Sequence, residues 1–213
     1  MPALALALAL AAPADGWQVL FNGKDLAGWK SNRLPESFRV ENGLLRAQCP
    51  DKGTAHLFFV GDKADGGYER FADFELELTA RAEPDSNSGL FVHTDWRTMG
   101  PNDFRLAAGY EVQLNSSARE KAKTGSLYAV KNLDKSPVDE ANWFVLRVVV
   151  AGKRITVSLD GKEVLDYTEP ADVVRTKERA GRKFAPDGGA IALQAHDPKS
   201  VWYFKDVRVK RKP

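Results

Sequence analysis

The sequence predicts an all-β protein, an antiparallel β-sandwich made of two packed sheets. In several short segments apolar and polar residues alternate, as they do along residues 71–82 (FADFELELTARA) from Phe74 onward. Between such segments lie Asn-Gly and Asp-Gly pairs, which accept the positive φ angles of tight hairpin turns. Helix signals are scarce. Two layers of sheet, each with one apolar face packed on the other layer, explain this pattern.

Two stretches predict consecutive antiparallel strands. Residues 38–48 predict a hairpin around Asn42 and Gly43. Residues 143–169 predict three strands in a row, joined by two short turns of which the second begins at Asp160. Short turns of this kind place each strand beside the next one in the same sheet.

Further strands are predicted in the second half of the chain. They cover residues 109–115 (GYEVQLN), 125–130 (GSLYAV) and 189–197 (GAIALQAHD). Residues 171–181 instead predict one or two helical turns that end at Gly181. If one of the two sheets curves, the polar side chains on its outer face will line a groove.

We expect a single domain over residues 16–211, because no Pro- or Gly-rich linker divides the chain. Residues 1–15 predict a signal-like or disordered segment: residues 3–12 are only Ala and Leu, and residues 12–14 fit a small-x-small cleavage site. The apolar run is too short to span a bilayer, and no Lys or Arg precedes it. We expect export to the periplasm or the exterior; the alternative is an unstructured cytoplasmic extension.

The charge balance and the single cysteine exclude several classes of function. Lys and Arg number 31 against 29 Asp and Glu, a net charge of +2, so no strong positive field attracts nucleic acid. Cys49 has no second cysteine for a disulfide and no partners spaced for a structural zinc site. There is no Gly-rich phosphate loop or nucleophile elbow, so we expect no nucleotide or organic cofactor. The sequence indicates no oligomeric state.

Four polar residues on two predicted strands form the best candidate site. Glu111 and Gln113 alternate with apolar neighbours, and Gln194 and His196 do the same in residues 189–197. Adjacent strands lie roughly 5 Å apart, so these side chains converge if their strands are neighbours. A carboxylate and an imidazole can hold a divalent metal ion, calcium or a transition metal, on Glu111 and His196. Solvation of an outer face is the simpler interpretation of the same pattern.

The remaining histidines and one acidic loop are weaker candidates. His93 follows Phe91 at the alternate position, so it can also point away from the core. His56 is interpreted as a half-exposed strand histidine. The loop at residues 83–89 (EPDSNSG) has hard oxygen ligands of the kind calcium prefers, although a polar turn is the simpler interpretation.

Several blocks of the sequence, taken in order, resemble one family. The blocks are WQVLFNGKDLAGW (17–29), FELELTARAEPDSNSGLFV (74–92), GYEVQLN with TGSLYAV, NWFVLRVVVAGKRITVSLDGKEVLDY (142–167) and GGAIALQAHDPKSVWYFKDVRVK (188–210). Together they resemble the 3-keto-disaccharide hydrolase family. This resemblance implies a concanavalin-like jelly roll with one concave sheet, and an exported bacterial protein that acts on sugars oxidised at C3.

The resemblance also implies a chemistry and a set of residues. A C3 ketone acidifies the C2 proton; its removal gives an enediolate that expels the C1 substituent, and water then adds. Glu111 and His196 lie in matching blocks and are the candidates for metal binding or for base and acid, with neither role assigned. The candidates for binding the sugar are Arg81, Asn87, His93, Gln113, Tyr128 and Gln194.

Two departures from the family pattern concern the expected groove. His93 replaces the Arg that commonly follows the SGLF strand, and Asp197 replaces a Gly in the QAHDP stretch. The substrate that the resemblance implies therefore stays open. A non-catalytic carbohydrate-binding module is the alternative function. A structural domain of a secreted assembly and a conventional two-carboxylate glycosidase are weaker ones.

Overall fold

The computed structural model describes residues 16–63, 67–176 and 179–213. The predicted signal-like segment, residues 1–15, lies outside the described residues, so export stays a prediction. In the described chain, no helix is long and apolar enough to cross a membrane.

The described residues include one complete short 3-10 helix, Pro35–Ser37, and fifteen strands. The strands are β1 (Gln18–Val19), β2 (Trp29–Ser31), β3 (Phe38–Glu41), β4 (Leu44–Ala47), β5 (Ala55–Phe59), β6 (Phe74–Ala82), β7 (Asn87–Thr94), β8 (Thr98–Gly100), β9 (Asp103–Leu106), β10 (Tyr110–Asn115), β11 (Phe144–Ala151), β12 (Arg154–Leu159), β13 (Lys162–Thr168), β14 (Ala190–Ala195) and β15 (Trp202–Arg211).

These strands build two main antiparallel sheets, which confirms the predicted all-β sandwich. The larger sheet has the order β13-β12-β11-β6-β15-β4-β3, with β1 paired to β15. The smaller, five-stranded sheet has the order β10-β7-β14-β5-β2. Strands β8 and β9 form a separate hairpin. Strands β10 and β14 are thus separated only by β7.

Alternation explains how the core forms between the sheets. Along β6 the side chains of Phe74, Leu76 and Leu78 are buried, while Glu75 and Glu77 point outward. The predicted hairpin of β3 and β4 is confirmed, as is the run of three strands β11 to β13. The hairpin turn needs left-handed backbone at Asn42 and Gly43, with φ values of 51° and 79°.

One local prediction fails and another is confirmed in part. Residues 125–130 form a turn next to β10 rather than a strand, and only Leu127 makes isolated bridges, one of them to Val112. Of the one or two helical turns predicted over residues 171–181, residues 171–176 show none, and residues 177–178 lie outside the described part. Arg179 has 3-10 conformation, and its N–H donates to the carbonyl oxygen of Thr176 at 2.8 Å, shortly before Gly181.

Candidate functional site

Strand β10 presents the predicted acid and amide on the outer face of the five-stranded sheet. Tyr110, Val112 and Leu114 belong to the core between the sheets. Glu111 and Gln113 point the other way, yet they are 7% and 1% exposed. The predicted alternation is confirmed, and the burial of its polar side shows that something covers it.

A small pocket of about 80 Å³ explains this burial. The sheet side of the pocket consists of Asn87, Phe91, Glu111, Gln113, Gln194 and, just beyond β14, His196. Other parts of the chain add Thr54, Arg105, Glu120, Tyr128, Arg179 and Arg182. Strands β10, β7 and β14 are neighbours, and this order brings together residues that are distant in sequence.

A glycine on β7 makes room for the carboxylate of Glu111. Gly89 lies opposite Gln113 in the pairing of β7 with β10. A Cβ atom at position 89 would lie 2.7 Å from Glu111 Oε1 and 3.0 Å from its Cγ. A larger residue at this position would force the Glu111 side chain to shift.

Glu111 is paired with a buried arginine. Arg182 Nη2 donates to Glu111 Oε2 at 3.3 Å, and both side chains are less than a tenth exposed. Burial raises the pKa of Glu111 to about 7, although Arg182 and Arg179 favour the charged form. Burial also lowers the pKa of Arg182, against the attraction of Glu111. The carboxyl group therefore exchanges its proton near neutral pH.

Three buried side-chain oxygens in this pocket have no hydrogen-bond partner among the described residues. They are Gln113 Oε1, Gln194 Oε1 and Thr54 Oγ1. The amide nitrogen of Gln113 is already used, since it donates to Asn87 Oδ1 at 2.5 Å. Buried polar atoms without partners are rare in folded proteins. Because the three residues line the same pocket, hydrogen-bond donors of a bound ligand could satisfy these oxygens.

His56 is fully buried beneath Gln194, so the prediction of a half-exposed histidine is wrong. Its ring packs edge-on against Phe91, with centroids 5.0 Å apart. Burial lowers the pKa of His56 to about 3, and the ring stays neutral. Its Nε2 lies 3.3 Å from Gln194 Nε2 and can accept an amide hydrogen. Gln194 Oε1 itself has no hydrogen-bond partner among the described residues.

His196 stands where two pockets meet. A second, more open pocket of about 210 Å³ shares Asn87, Glu120 and His196 with the first one. Its other lining residues include Arg119 and Asp197. The Nδ1 atom of His196 lies 3.0 Å from Asp197 Oδ2, which orients the ring. His196 is thus more solvent-accessible than Glu111.

Two predicted sugar-binding residues, Arg81 and His93, lie outside this pocket. Arg81 belongs to β6 in the larger sheet and sits between Tyr203 and Trp143, 4.5 and 5.3 Å from their ring centroids. His93 has a positive φ of 52° at an irregular part of the β7–β14 pairing. Its Nε2 lies 2.8 Å from the carbonyl oxygen of Ala72, because this backbone conformation breaks the expected alternation.

Sequence reasoning missed the arginines, since no strand pattern marks them. Arg179 and Arg182 come from the segment between β13 and β14, and Arg105 comes from the β8–β9 hairpin. A dense group of basic residues at positions 175–183 was the available signal. Arginine is the residue best suited to bind carboxylates and oxyanions.

The pocket fits the expected divalent metal ion poorly. Among the described residues, no group of three or more His, Cys, Asp and Glu could hold an ion. Arg182 already faces Glu111, and Arg105 and Arg179 line the same small space. Three guanidinium groups repel a divalent cation. The metal site on Glu111 and His196 stays a prediction.

Comparison with known proteins establishes the family. The model of the 3-keto-alpha-glucoside-1,2-lyase-like domain matches residues 16–210. This chain belongs to that family. A relative from Bacteroides thetaiotaomicron, the 3-keto-disaccharide hydrolase, is 30% identical over an alignment of 240 positions, and the alignment covers 95% of this chain and 81% of the relative.

Solved structures share the fold of this family member. A glycosyl-hydrolase-like protein from Parabacteroides distasonis superposes with a TM-score of 0.75 at 21% identity, covering 97% of this chain and 99% of its own. The VIP36 exoplasmic/lumenal domain, in a form with Ca²⁺ and Man3GlcNAc bound, has a TM-score of 0.56 at 14% identity, with 94% and 90% of the chains covered. These likenesses confirm the lectin-like sandwich.

Proposed function

We propose that this protein is a carbohydrate hydrolase that cleaves 3-keto-glycosides. The observation that carries the proposal is the combination in one pocket of a buried carboxyl group and unpaired oxygens. Glu111, with its pKa near 7, lies beside Gln113 and Gln194, whose side-chain oxygens lack partners among the described residues. Family membership and the 30% identical 3-keto-disaccharide hydrolase support the same substrate class.

The proposed reaction is an elimination followed by a hydration. The ketone at C3 acidifies the hydrogen on C2, and a base removes it to give an enediolate. The enediolate expels the C1 substituent, which takes up a proton and leaves as an alcohol. Water then adds across the resulting C1=C2 bond, with hydroxyl on C1 and hydrogen on C2, and regenerates a free 3-keto sugar.

Glu111 is assigned the role of base toward C2. A general base works best when its pKa lies near the working pH, and burial brings the pKa of this carboxyl group to about 7. Arg182 favours the ionised form that abstracts the proton. The enclosed position of Glu111 also keeps bulk water away from the enediolate.

His196 is assigned the role of acid toward the leaving group. It lies at the boundary between the enclosed pocket and the open one. If the keto sugar occupies the enclosed pocket and the leaving group the open one, the bond that breaks lies beside His196. Asp197 orients the ring through its contact with Nδ1. In its protonated form the imidazole can protonate the departing oxygen.

The guanidinium groups supply the electrostatic part of the proposal. Arg105 and Arg179 line the pocket, and Arg179 lies over the ring of Tyr128, 5.1 Å from its centroid. Such groups can stabilise the negative charge that develops on the C3 oxygen. Removing one donor of this kind typically lowers kcat by about 10²–10³-fold.

Incubation of the purified protein with an aryl 3-keto-glucoside tests this function through release of the aglycone. We expect cleavage of the 3-keto-glucoside, no cleavage of the unoxidised glucoside, and no loss of activity with a chelator. The control variant is Glu75→Gln, which removes a carboxylate on the other sheet. Binding without any turnover would refute the hydrolase and favour a binding module. Loss of activity with the chelator would instead support the predicted metal site on Glu111 and His196.

A further inference from the structure

The segment that carries Arg182 is anchored by a carboxylate outside the pocket. Glu169, next to the end of β13, has a side chain that is 1% exposed. It accepts hydrogen bonds from the hydroxyl of Tyr110 at 2.5 Å and from the backbone N–H of Phe184 at 2.9 Å. Lys153 reaches the second carboxylate oxygen from the surface. The carboxylate therefore joins β10 to the residues just after Arg182.

Glu169 is ionised in this arrangement. Although burial raises its pKa, the bonds from Lys153, Tyr110 and Phe184 outweigh burial and hold the pKa below its usual range. Burial and the Glu169 carboxylate raise the pKa of Tyr110, so its hydroxyl keeps its proton and donates it to Glu169. Buried charges are stable only when they are paired and hydrogen-bonded in this way.

Arg175 holds the same segment from its other side. Its Nε donates to the carbonyl oxygen of Arg182 at 2.6 Å. Its Nη2 donates to the hydroxyls of Tyr110 at 3.2 Å and Tyr167 at 2.7 Å. The backbone around Arg182 is therefore fixed at the carbonyl of residue 182 and at the N–H of residue 184. Both connections meet at the hydroxyl of Tyr110.

Tyr110 lies on the far side of β10 from the pocket. Its side chain points into the core, and the next residue, Glu111, points into the pocket. Arg182 reaches over the edge of this strand, where Nη1 contacts the carbonyl oxygen of Gly109 at 3.4 Å and Nη2 contacts Glu111. The network of Glu169, Tyr110 and Arg175 lies on the core side of β10, and the pocket lies on the other side. It therefore connects to both partners of the buried ion pair: to Glu111 along the strand, and to Arg182 through the backbone of residues 182–184.

We propose that Glu169 and Tyr110 are positioning residues that hold the Arg182 guanidinium against Glu111. Neither side chain lines the pocket, so each acts through Arg182. The proposal deepens the proposed function and rests on it for the kinetic prediction. Its structural prediction, a fixed guanidinium, can be measured without any substrate.

The test is the variant Tyr110→Phe, which removes the shared hydroxyl and little volume. Arginine side-chain NMR, with the Arg182 signals assigned through Arg182→Lys, reports how freely the guanidinium rotates. We expect slow rotation in the wild type and fast rotation in Tyr110→Phe. With the 3-keto-glucoside, we expect kcat to fall by about 10–100-fold with little change in KM, as for other small misplacements of a catalytic site. The matched control is Tyr203→Phe on the larger sheet, with both readouts unchanged.

Energetic coupling between Tyr110 and Arg182, measured with a double variant, distinguishes a positioning role of Tyr110 from a general loss of stability. If Tyr110 acts through Arg182, the loss of kcat in the double variant Tyr110→Phe/Arg182→Lys will be close to that of Arg182→Lys alone. Losses that multiply, or an Arg182 guanidinium that stays fixed in Tyr110→Phe, would overturn the proposal. If Tyr110→Phe does not fold, Glu169→Gln provides the same comparison. If the wild type shows no turnover, the proposed function fails, and the NMR result alone decides the positioning role.

Discussion

The outer faces of the two sheets have the same alternating pattern but opposite environments. On the larger sheet, outward charges form pairs at the surface, such as Arg147 with Glu75 at 2.7 Å. On the five-stranded sheet, the outward acid Glu111 is buried and faces Arg182. The pKa of Glu75 is lowered, chiefly by its hydrogen bond from Arg147, whereas burial raises that of Glu111. Covering segments, rather than the strands, make the difference between a solvated face and a site.

The largest expected effect distinguishes the acids of the two faces. Glu111→Gln removes the proposed base and keeps the side-chain shape, so kcat should fall by about 10²–10⁴-fold. Glu75→Gln should keep the wild-type kcat. Steady-state kinetics on the 3-keto-glucoside measure both. Equal losses in the two variants would show that the buried carboxyl group has no special role.

The next effect is the pH dependence of stability. Because the folded pKa of Glu111, about 7, exceeds its ordinary value of 4.5, the folded state holds this proton more tightly than the unfolded state does. The stabilisation is complete below about pH 4.5 and is lost as the pH rises through about 7. At about 1.36 kcal/mol per pKa unit, the loss is about 3 kcal/mol.

Denaturant unfolding of the wild type and Glu111→Gln between about pH 4 and pH 8 checks this value. The free energy of unfolding of the wild type should fall relative to that of the variant as the pH rises. Other titrating groups are common to both proteins and largely cancel in this difference. A constant difference over this range would mean that Glu111 titrates at its usual pKa.

A smaller loss is expected from the glycine beside Glu111. Gly89→Ala places a methyl group 2.7 Å from Glu111 Oε1 and pushes the carboxylate away from the substrate. Displacement by about 1 Å can lower kcat/KM about 10²-fold, and part of the shift can relax, so we expect a loss of about tenfold or more. The control is Gly100→Ala, because no atom lies within 4 Å of a Cβ at position 100. Unchanged kinetics in Gly89→Ala would show that the carboxylate tolerates displacement.

The smallest effect belongs to the exposed ion pair. Arg147 is 44% exposed at its side chain, and such surface pairs contribute about 0–1 kcal/mol. Thermal or denaturant unfolding of Glu75→Gln should therefore show a loss of at most about 1 kcal/mol. A larger loss of stability would show that the ion pair on the larger sheet is not simply a solvated surface pair, so the two outer faces would not differ as described.

Sequence reasoning reached the fold and the sheet side of the site through local periodicity. Alternation along residues 109–115 placed Glu111 and Gln113 on the outer face, and the same logic placed Gln194 in the pocket. A strand repeats every two residues, so the side of each residue can be read from its neighbours. At His93 the alternation predicted the wrong side, because this one residue has a positive φ.

What the sequence by itself determined was therefore the sandwich and the face on which the regular strand residues lie. Only the tertiary structure decided which outer face is covered, and with it the burial of His56 and the pairing of Glu111 with Arg182, 71 positions away. The physical reason is that alternation is a property of one strand. Burial and pKa depend on segments that pack over the strand from distant parts of the chain, and no local pattern records where those segments lie.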